Sequence, residues 1–209
     1  MRPITQTRTL AAAAVAAICA AQTTAGAGNL VINGSLASGG VATLASQQVL
    51  GVTSAGNLSA VNFTITGTDD QGRVISQTIA GPNANTVQTT LNYRTVTQIA
   101  VSAAVGTNVT VDTLQIGAST EVPLDQYITN FNVSIAVEVT GTVNYTVQYT
   151  FDDIFGGAPG AFNWINFTTL TAQTANNNGT LISPVRAVRL LTNSGNGVAK
   201  MLVIQSGLT

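Results

Sequence analysis

The sequence predicts an all-β protein, a β-sandwich of jelly-roll-like type built from antiparallel strands. Three observations lead to this prediction. Short runs of alternating apolar and polar residues recur along the chain at a spacing of about ten residues. Valine and threonine dominate these runs, while glycine, asparagine and aspartate separate them, as expected for strands and turns. No long amphipathic helical pattern appears after residue 28.

The predicted strands are short and follow one another closely, which favours a sandwich. In chain order they are Leu30–Asn33, Val41–Leu44, Gln48–Thr53, Val61–Thr68, Val74–Ala80, Thr86–Leu91, Val96–Ala103, Val109–Ile116, Phe131–Val139, Val143–Phe151, Phe162–Thr168, Leu181–Thr192 and Val198–Gln205.

Residues 131–153 carry the clearest pattern. Apolar and polar residues alternate on both sides of Thr140-Gly141-Thr142. Because alternate residues of a strand point to opposite faces, the segment predicts a β-hairpin with one apolar and one polar face. Glu138 is the only charge on the polar face, so this face favours contact with other protein over catalysis. Turn residues at 69–72 and 194–197 predict two further hairpins.

The composition of the chain changes near Ser119–Pro123. Strands before this point are rich in threonine, glycine and alanine, and those after it contain most of the aromatic residues. We predict a first β domain at residues 28–120 and a second β-sandwich domain at 121–209, with one continuous sandwich as the alternative. No internal sequence repeat is recognisable.

Residues 1–27 form an alanine-rich segment with two interpretations. Arg2 and Arg8 precede an apolar run at 10–21, and small residues follow at 24–27, which resembles a secretory signal peptide. We favour a retained N-terminal arm or short helix that packs on a neighbouring subunit. The alternative places the protein outside the cell after signal-peptide cleavage.

The charge content points to assembly and away from several function classes. Only 7% of the 209 residues are charged, against about 25% in an average domain, and the net charge is −1. Low net charge promotes association, so we predict an oligomer. The basic residues are scattered, which argues against binding to nucleic acid or to a membrane.

The chain has no histidine and a single cysteine, Cys19. A Ser–His–Asp site, a Cys–His site, an intrachain disulfide and a thiolate cluster are therefore excluded. We predict a protein that is not an enzyme and has no catalytic residue, cofactor, metal or small-molecule substrate. The pairs Asp69-Asp70 and Asp152-Asp153 are interpreted as turn residues, with a calcium site or a carboxylate-only hydrolase that also uses Glu138 as alternatives.

Candidate contact residues lie in the glycine- and proline-rich loop 152–161 and in the segment PVRAVRLL. Apolar residues in such a loop need a partner to be buried. The two arginines of PVRAVRLL could contact a neighbouring subunit or remain ordinary exposed charges. Trp164 is predicted to lie in the core. The predicted interaction residues are Arg2, Arg8, Asp152, Asp153, Ile154, Phe155, Arg186 and Arg189.

Three segments resemble one known family. VNFTITGTDDQGRVISQTIAGPNANTVQTTLNYRTVTQIAVS (61–102), FNVSIAVEVTGTVNYTVQYTFDD (131–153) and PVRAVRLLTNSGNGVAKMLVIQSG (184–207) resemble small virion structural proteins of tailed bacteriophages. The alanine-rich segment departs from that family. The resemblance implies a capsid decoration (cement) protein, often trimeric, on the outer surface of the phage head. The implied partners are the major capsid protein and copies of the chain itself.

The sequence leaves a second function open. No motif separates a head role from a tail or neck role, so the chain could be a tail, fibre or secreted adhesin module that binds a host surface. Binding to a surface glycan would need an exposed aromatic residue, for which Trp164 and Tyr149 are the candidates.

Overall fold

A computed structural model describes residues 4–9, 11–156 and 162–206. The chain forms two compact units. The N-terminal unit is Ala11–Leu114, and the C-terminal unit combines Gln115–Thr209 with the residues up to Leu10. The first strand of the chain therefore belongs to the unit that is formed mainly by its last residues.

The C-terminal unit contains two antiparallel sheets. Their strands are β1 (Ile4–Thr9), β12 (Gly117–Ala118), β13 (Val122–Pro123), β14 (Val133–Thr140), β15 (Val143–Thr150), β16 (Ile165–Asn166), β17 (Asn177–Leu181), β18 (Ala187–Gly195) and β19 (Val198–Gln205). One sheet has the order β1-β19-β14-β17, and the other has the order β12-β18-β15-β16, with β13 also beside β18. We count β12 and β13 as one interrupted strand and number the strands of this unit from 1 to 8 in chain order. The two sheets then have the orders 1-8-3-6 and 2-7-4-5. This is the double Greek key of a jelly roll.

The N-terminal unit has the same topology. Its strands are β2 (Ala14–Thr24), β3 (Gly28–Asn29), β4 (Ala37–Ser38), β5 (Val41–Gln48), β6 (Leu50–Ser54), β7 (Asn62–Thr68), β8 (Val74–Ala80), β9 (Thr86–Gln88), β10 (Tyr93–Val101) and β11 (Val105–Thr113). Its sheets run β2-β11-β6-β9 and β4-β5-β10-β7-β8, with β3 beside β10. Apart from the short β3 and β4, these orders are again 1-8-3-6 and 2-7-4-5. The prediction of an all-β sandwich is confirmed.

Each unit has its own core, to which both of its sheets contribute. In the C-terminal unit Ile135 and Met201 from one sheet pack in the same cluster as Tyr145 and Leu190 from the other. In the N-terminal unit Val52 and Val111 join Phe63 and Ile99. These are the apolar positions of alternating strands, so burial of one face of each sheet accounts for the sandwich.

Two of the three predicted hairpins are wrong. β14 and β15 lie in different sheets, and so do β18 and β19; only β7 and β8 pair directly. The turns at Gly141 and Gly195 therefore carry the chain across the core rather than along one sheet. Alternation could not reveal this, because the apolar residues point into the same core in either arrangement.

The polar face of β15 is also not a solvent-exposed surface. Thr146, Gln148 and Thr150 are buried, and their side chains are hydrogen-bonded. Thr146 Oγ1 accepts a hydrogen bond from the backbone N–H of Ala172, and Gln148 Nε2 donates to Oδ1 of Asn166. The chain that follows β15 thus supplies partners for the outer face of that strand.

The alanine-rich segment is not a separate arm. Its described residues form β1, which pairs with β19, and β2, which pairs with β11. Ala17, Ile18 and Cys19 of β2 are fully buried. Small side chains blur the alternation that identifies a strand, so the sequence pattern resembled a signal peptide more than a sheet.

Three further strand predictions differ from the structure. Leu30–Asn33 is irregular, although Leu30 N–H donates to Ile99 O at 2.8 Å. The strand predicted at Phe162–Thr168 is reduced to β16, followed by a short 3-10 helix at Thr168–Leu170. The strand predicted at Leu181–Thr192 is interrupted by a connection that contains Pro184, which cannot donate a ladder hydrogen bond.

Matching strands reveal an internal repeat. NFTITGTDD (62–70) on β7 corresponds to NYTVQYTFDD (144–153) on β15, with Phe151 as one extra residue. The sheet registers support this alignment, because Thr68 pairs with Thr95 in the N-terminal unit and Thr150 pairs with Ala187 in the C-terminal unit. Arg94 and Arg186 directly precede these partners. Five of the nine aligned positions are identical, but the match is short and the extra Phe151 interrupts it, so a search of the sequence alone misses the repeat.

Candidate functional site

Three connections between strands meet at one end of the C-terminal unit. They join β13 to β14, β15 to β16, and β17 to β18. The register brings them together, because Val133 pairs with both Leu181 and Gln205, while Thr150 pairs with Ala187. We call this region the loop end and define it by the described residues 124–132, 151–156, 162–164 and 182–186.

Backbone and side-chain hydrogen bonds fix the loop end to the sheets. Leu124 N–H donates to Arg186 O at 2.8 Å, and Arg186 N–H donates to Thr150 O at 2.9 Å. The amide of Gln205 accepts from Asp125 N–H at 3.0 Å and donates to Asp125 O at 2.7 Å. The loops at this end are therefore positioned by the last residues of the sheets.

The loop end exposes large apolar side chains. Tyr127 is 86% exposed, Phe155 82%, Ile182 74% and Phe151 55%. Tyr127, Phe155 and Ile182 lie in three different connections, and Phe151 directly follows β15. The fold brings these connections, which are distant in the sequence, to one end of the unit. Clustered apolar exposure of this kind marks a binding surface more often than scattered single residues do.

A cleft of about 250 Å³ lies within the loop end. Apolar and polar groups share its lining. The lining residues are Leu124, Asp125, Gln126, Tyr127, Asp153, Ile154, Phe155 and Arg186. The guanidinium of Arg186 lies 3.4 Å from the Asp153 carboxylate, and both groups are about half exposed. A surface ion pair of this kind contributes little to stability, about 0–1 kcal/mol, so both groups can exchange partners on binding.

A second groove, of about 350 Å³, lies where β15 and β17 end. Phe151, Phe167, Leu181, Ile182 and Val185 supply its apolar lining. The rings of Tyr149 and Phe151 meet edge to face with centroids 5.7 Å apart. The groove extends the apolar character of the loop end from the turns onto the ends of β15 and β17.

The equivalent end of the N-terminal unit provides an internal comparison. There the chain passes from β7 to β8 through a tight turn of 69–73, in which Asp69 accepts from the backbone N–H groups of Gln71 and Arg73. Arg94 lies 3.6 Å from Asp70, as Arg186 lies near Asp153. The aspartate–arginine pair is thus common to both units. The longer connection and its exposed aromatic residues are confined to the C-terminal unit, so the jelly roll itself does not require them.

Both aspartates after β15 organise the connection. Asp152 Oδ2 accepts from the backbone N–H of Asn163, and Asp153 Oδ1 accepts from Phe155 N–H at 3.2 Å. Ile154 is buried while its neighbour Phe155 is exposed. These contacts place the ring of Phe155 on the surface.

Arg189 lies on β18 and contacts the loop end through Trp164, so it is not in an ordinary exposed position. Its guanidinium stacks on the ring of Trp164 at 4.1 Å from the ring centroid, and its Nε donates to Gln148 Oε1 at 2.9 Å. Burial lowers the pKa of Arg189 to about 9, and the nearby negative charge of Glu121 partly offsets this, so the side chain is protonated at neutral pH. The sequence predicted that Trp164 lies in the core. The structure instead places its half-buried ring against the Arg189 guanidinium.

The remaining predicted contact residues lie near the N-terminus. Arg2 lies outside the described residues. The backbone of Arg8 pairs with Ala199 in the ladder between β1 and β19, and its side chain also lies outside the description. Sequence reasoning did not identify Tyr127, Phe151 and Ile182 as contact candidates. The available signal was the position of a large apolar residue directly after a strand or within a polar turn.

The described residues offer little for chemistry. Within these ranges no group of His, Cys, Asp and Glu side chains is placed to hold a metal ion. Cys19 is fully buried, and burial raises the pKa of its thiol to about 12. The described part of the chain also contains no helix with the length and hydrophobicity of a membrane span.

Comparison with known proteins does not assign the chain to a group. No protein-family model matches it, and no curated protein matches it either.

Proposed function

We propose that the protein is a non-enzymatic virion structural protein of a tailed bacteriophage, acting as a capsid decoration (cement) protein. In this role each copy bridges neighbouring major capsid subunits on the outer surface of the head. The observation that carries the proposal is the loop end, where the described aromatic side chains Tyr127, Phe151 and Phe155 are exposed in only one of two jelly rolls of the same topology. Jelly rolls recur in viral capsids, and the low charge of the chain keeps the desolvation cost of a large contact small.

The loop end supports a specific docking mode. Phe155 and Tyr127 stand out from a surface whose backbone is held by the sheets, so little conformational entropy is lost when they are buried. Aromatic residues in this position are typical of interface hot spots. The Asp153–Arg186 pair at the rim can re-pair with charges of the partner.

The proposal extends to the state and location of the protein. Copies of the chain associate, as a trimer in the simplest case, and residues 1–27 are retained. Support for retention comes from β1 and β2, because cleavage near Ala27 would remove the first strand of both jelly rolls.

Binding to capsids lacking this protein tests the proposed role. Purified chain is mixed with such capsids, and bound copies are counted after sedimentation. We expect saturable binding that Phe155→Asp weakens at least about tenfold, since a hot-spot residue contributes about 1.4 kcal/mol or more. Val74→Asp is the matched control, because Val74 is 72% exposed but lies on β8 of the other unit. Absence of saturable binding, or equal losses in both variants, would contradict the proposal.

A second candidate function is binding of a host-surface glycan by a tail, fibre or secreted adhesin module. The observation that favours it is the cleft, where Tyr127 and Phe155 flank carboxylate, amide and guanidinium groups. Trp164 and Tyr149, the aromatic residues first considered for this role, are each partly covered. Chemical-shift changes confined to the cleft on titration with oligosaccharides, and lost in Tyr127→Ala, would favour this function over the first.

A further inference from the structure

The two jelly rolls differ in how their first strand is tethered. In the N-terminal unit β2 continues into β3 through only residues 25–27. In the C-terminal unit β1 is followed by the whole N-terminal unit, and the chain returns only at Gln115. β1 is thus the one strand of the C-terminal unit whose connection to that unit passes through another folded body.

The contacts of β1 are those of a detachable edge strand. It pairs with β19 over the six positions from Ile4↔Val203 to Thr9↔Val198. β19 is held on its other side by β14, over eight positions from Val133↔Gln205 to Thr140↔Val198. Loss of β1 would leave β19 as an open edge, with unpaired backbone groups that accept another strand.

We propose that β1 is exchanged between copies of this chain, so that residues 4–9 of one copy complete the C-terminal unit of a neighbouring copy. The contacts made by β1 are identical in the closed and exchanged forms, so the exchange costs no contacts in either unit. The balance between the two forms is set by the local concentration of neighbouring chains, which a dense assembly raises. Exchange would tie each copy to the next without a new side-chain interface.

The proposal concerns copies of the chain and does not depend on a capsid partner. It names a surface different from the loop end, namely the edge of β19. A chain that exchanges β1 but does not bind capsids would contradict only the proposed function. A chain that binds capsids without exchange would contradict only this inference.

Register-matched cysteines test the exchange. Thr7 lies opposite Lys200 across β1 and β19, and opposite residues of an antiparallel pair lie within disulfide distance. Two differently tagged chains are coexpressed, one carrying Thr7→Cys and the other Lys200→Cys, and are oxidised in the folded state. Native Cys19 does not interfere, because it is buried and its raised pKa keeps the thiol protonated.

We expect a disulfide-linked heterodimer on a denaturing, non-reducing gel, in an amount that increases with protein concentration. The matched control replaces Thr7→Cys by Glu138→Cys, because Glu138 also lies opposite Lys200, but on β14, which is tethered within the unit. This control pair should give no heterodimer. A single chain carrying both Thr7→Cys and Lys200→Cys verifies that the pair can form a disulfide.

Three results would overturn the inference. The first is a disulfide only within single chains of the double variant, with no heterodimer from the coexpressed pair. The second is an equal yield of heterodimer from the Glu138 control, which would indicate contact between whole units instead. The third is no disulfide even in the double variant, which would contradict the pairing of β1 with β19.

Discussion

Tyr145 allows a quantitative test of the two-sheet core of the C-terminal unit. Its ring is fully buried, and its hydroxyl donates a hydrogen bond to Ala175 O at 3.0 Å. The equivalent residue in the N-terminal unit is Phe63, which is also fully buried. The fold therefore accepts a ring without a hydroxyl at this position, and Tyr145→Phe should remove one hydrogen bond while keeping the packing.

The size of the effect follows from that single bond. A net intramolecular hydrogen bond contributes about 1 kcal/mol, and the loss should stay near this value because Ala175 is exposed and its carbonyl can accept from water instead. Tyr145→Ala would also remove the ring and cost about 3–5 kcal/mol. For a unit of about 100 residues, 1 kcal/mol lowers Tm by about 4–8 °C.

Scanning calorimetry of the full chain measures this directly. Tyr149→Phe is the matched control, because Tyr149 lies on the same strand, is only partly buried, and its hydroxyl makes no hydrogen bond within the described residues. We expect the control to change stability by less than about 0.5 kcal/mol. Equal Tm values for Tyr145→Phe and Tyr149→Phe would refute the assignment of the Tyr145 hydroxyl to Ala175 and with it the position of that strand in the core.

Three further predictions test other parts of the fold. Burial raises the pKa of Cys19 from 9.0 to about 12, so the folded state keeps this thiol protonated at pH values where the unfolded state loses the proton. The free energy of unfolding should therefore fall as the pH rises from 9 towards about 12, as measured by urea unfolding. Cys19→Ala should make this decline smaller. Gly195→Ala should destabilise the C-terminal unit by about 1–3 kcal/mol, because φ is +93° and a Cβ would lie 2.4 Å from Thr142 O, whereas Gly26→Ala, with open space, should be neutral by the same unfolding assay. Deletion of residues 1–27 should lower the Tm of both units, because each loses its first strand, and an unchanged Tm in either unit would contradict the sheet assignment of β1 or β2.

The sequence predicts the core of this protein better than its connections. Alternation in residues 131–153 identified one apolar set, and most of its members are buried in one cluster. Val139 and Tyr149 are only partly buried, and Phe151, which the pattern placed in the same set, is 55% exposed. The pairing of the strands did not follow, because period 2 fixes which face is apolar but not which sheet a strand joins. Strand order depends on contacts between distant residues, such as Ile4 with Val203, that no local pattern reports.

The candidate site was predictable only in part, for a similar reason. Ile154 and Phe155 stood out because apolar residues in a glycine-rich turn have no local partner. Tyr127 and Ile182 lie in other connections, and their relation to Phe155 exists only once the jelly roll brings three connections to one end. The strands of the alanine-rich segment were not predicted, because small residues give little alternation and the segment was expected to be an arm or short helix, with a signal peptide as the alternative.

The repeated jelly roll separates what the fold requires from what it does not. Both units keep the paired aspartates after the fourth strand and an arginine at the start of the seventh, so these residues belong to the architecture of that end. The N-terminal unit closes the same connection with the tight turn 69–73, which shows that a sandwich of this topology needs neither a long loop nor an exposed ring there. The extra Phe151, the longer connection and the outward ring of Phe155 are therefore not required by this topology. This difference supports the proposed contact with a partner, for which side chains that are apolar, exposed and held in place together are suited.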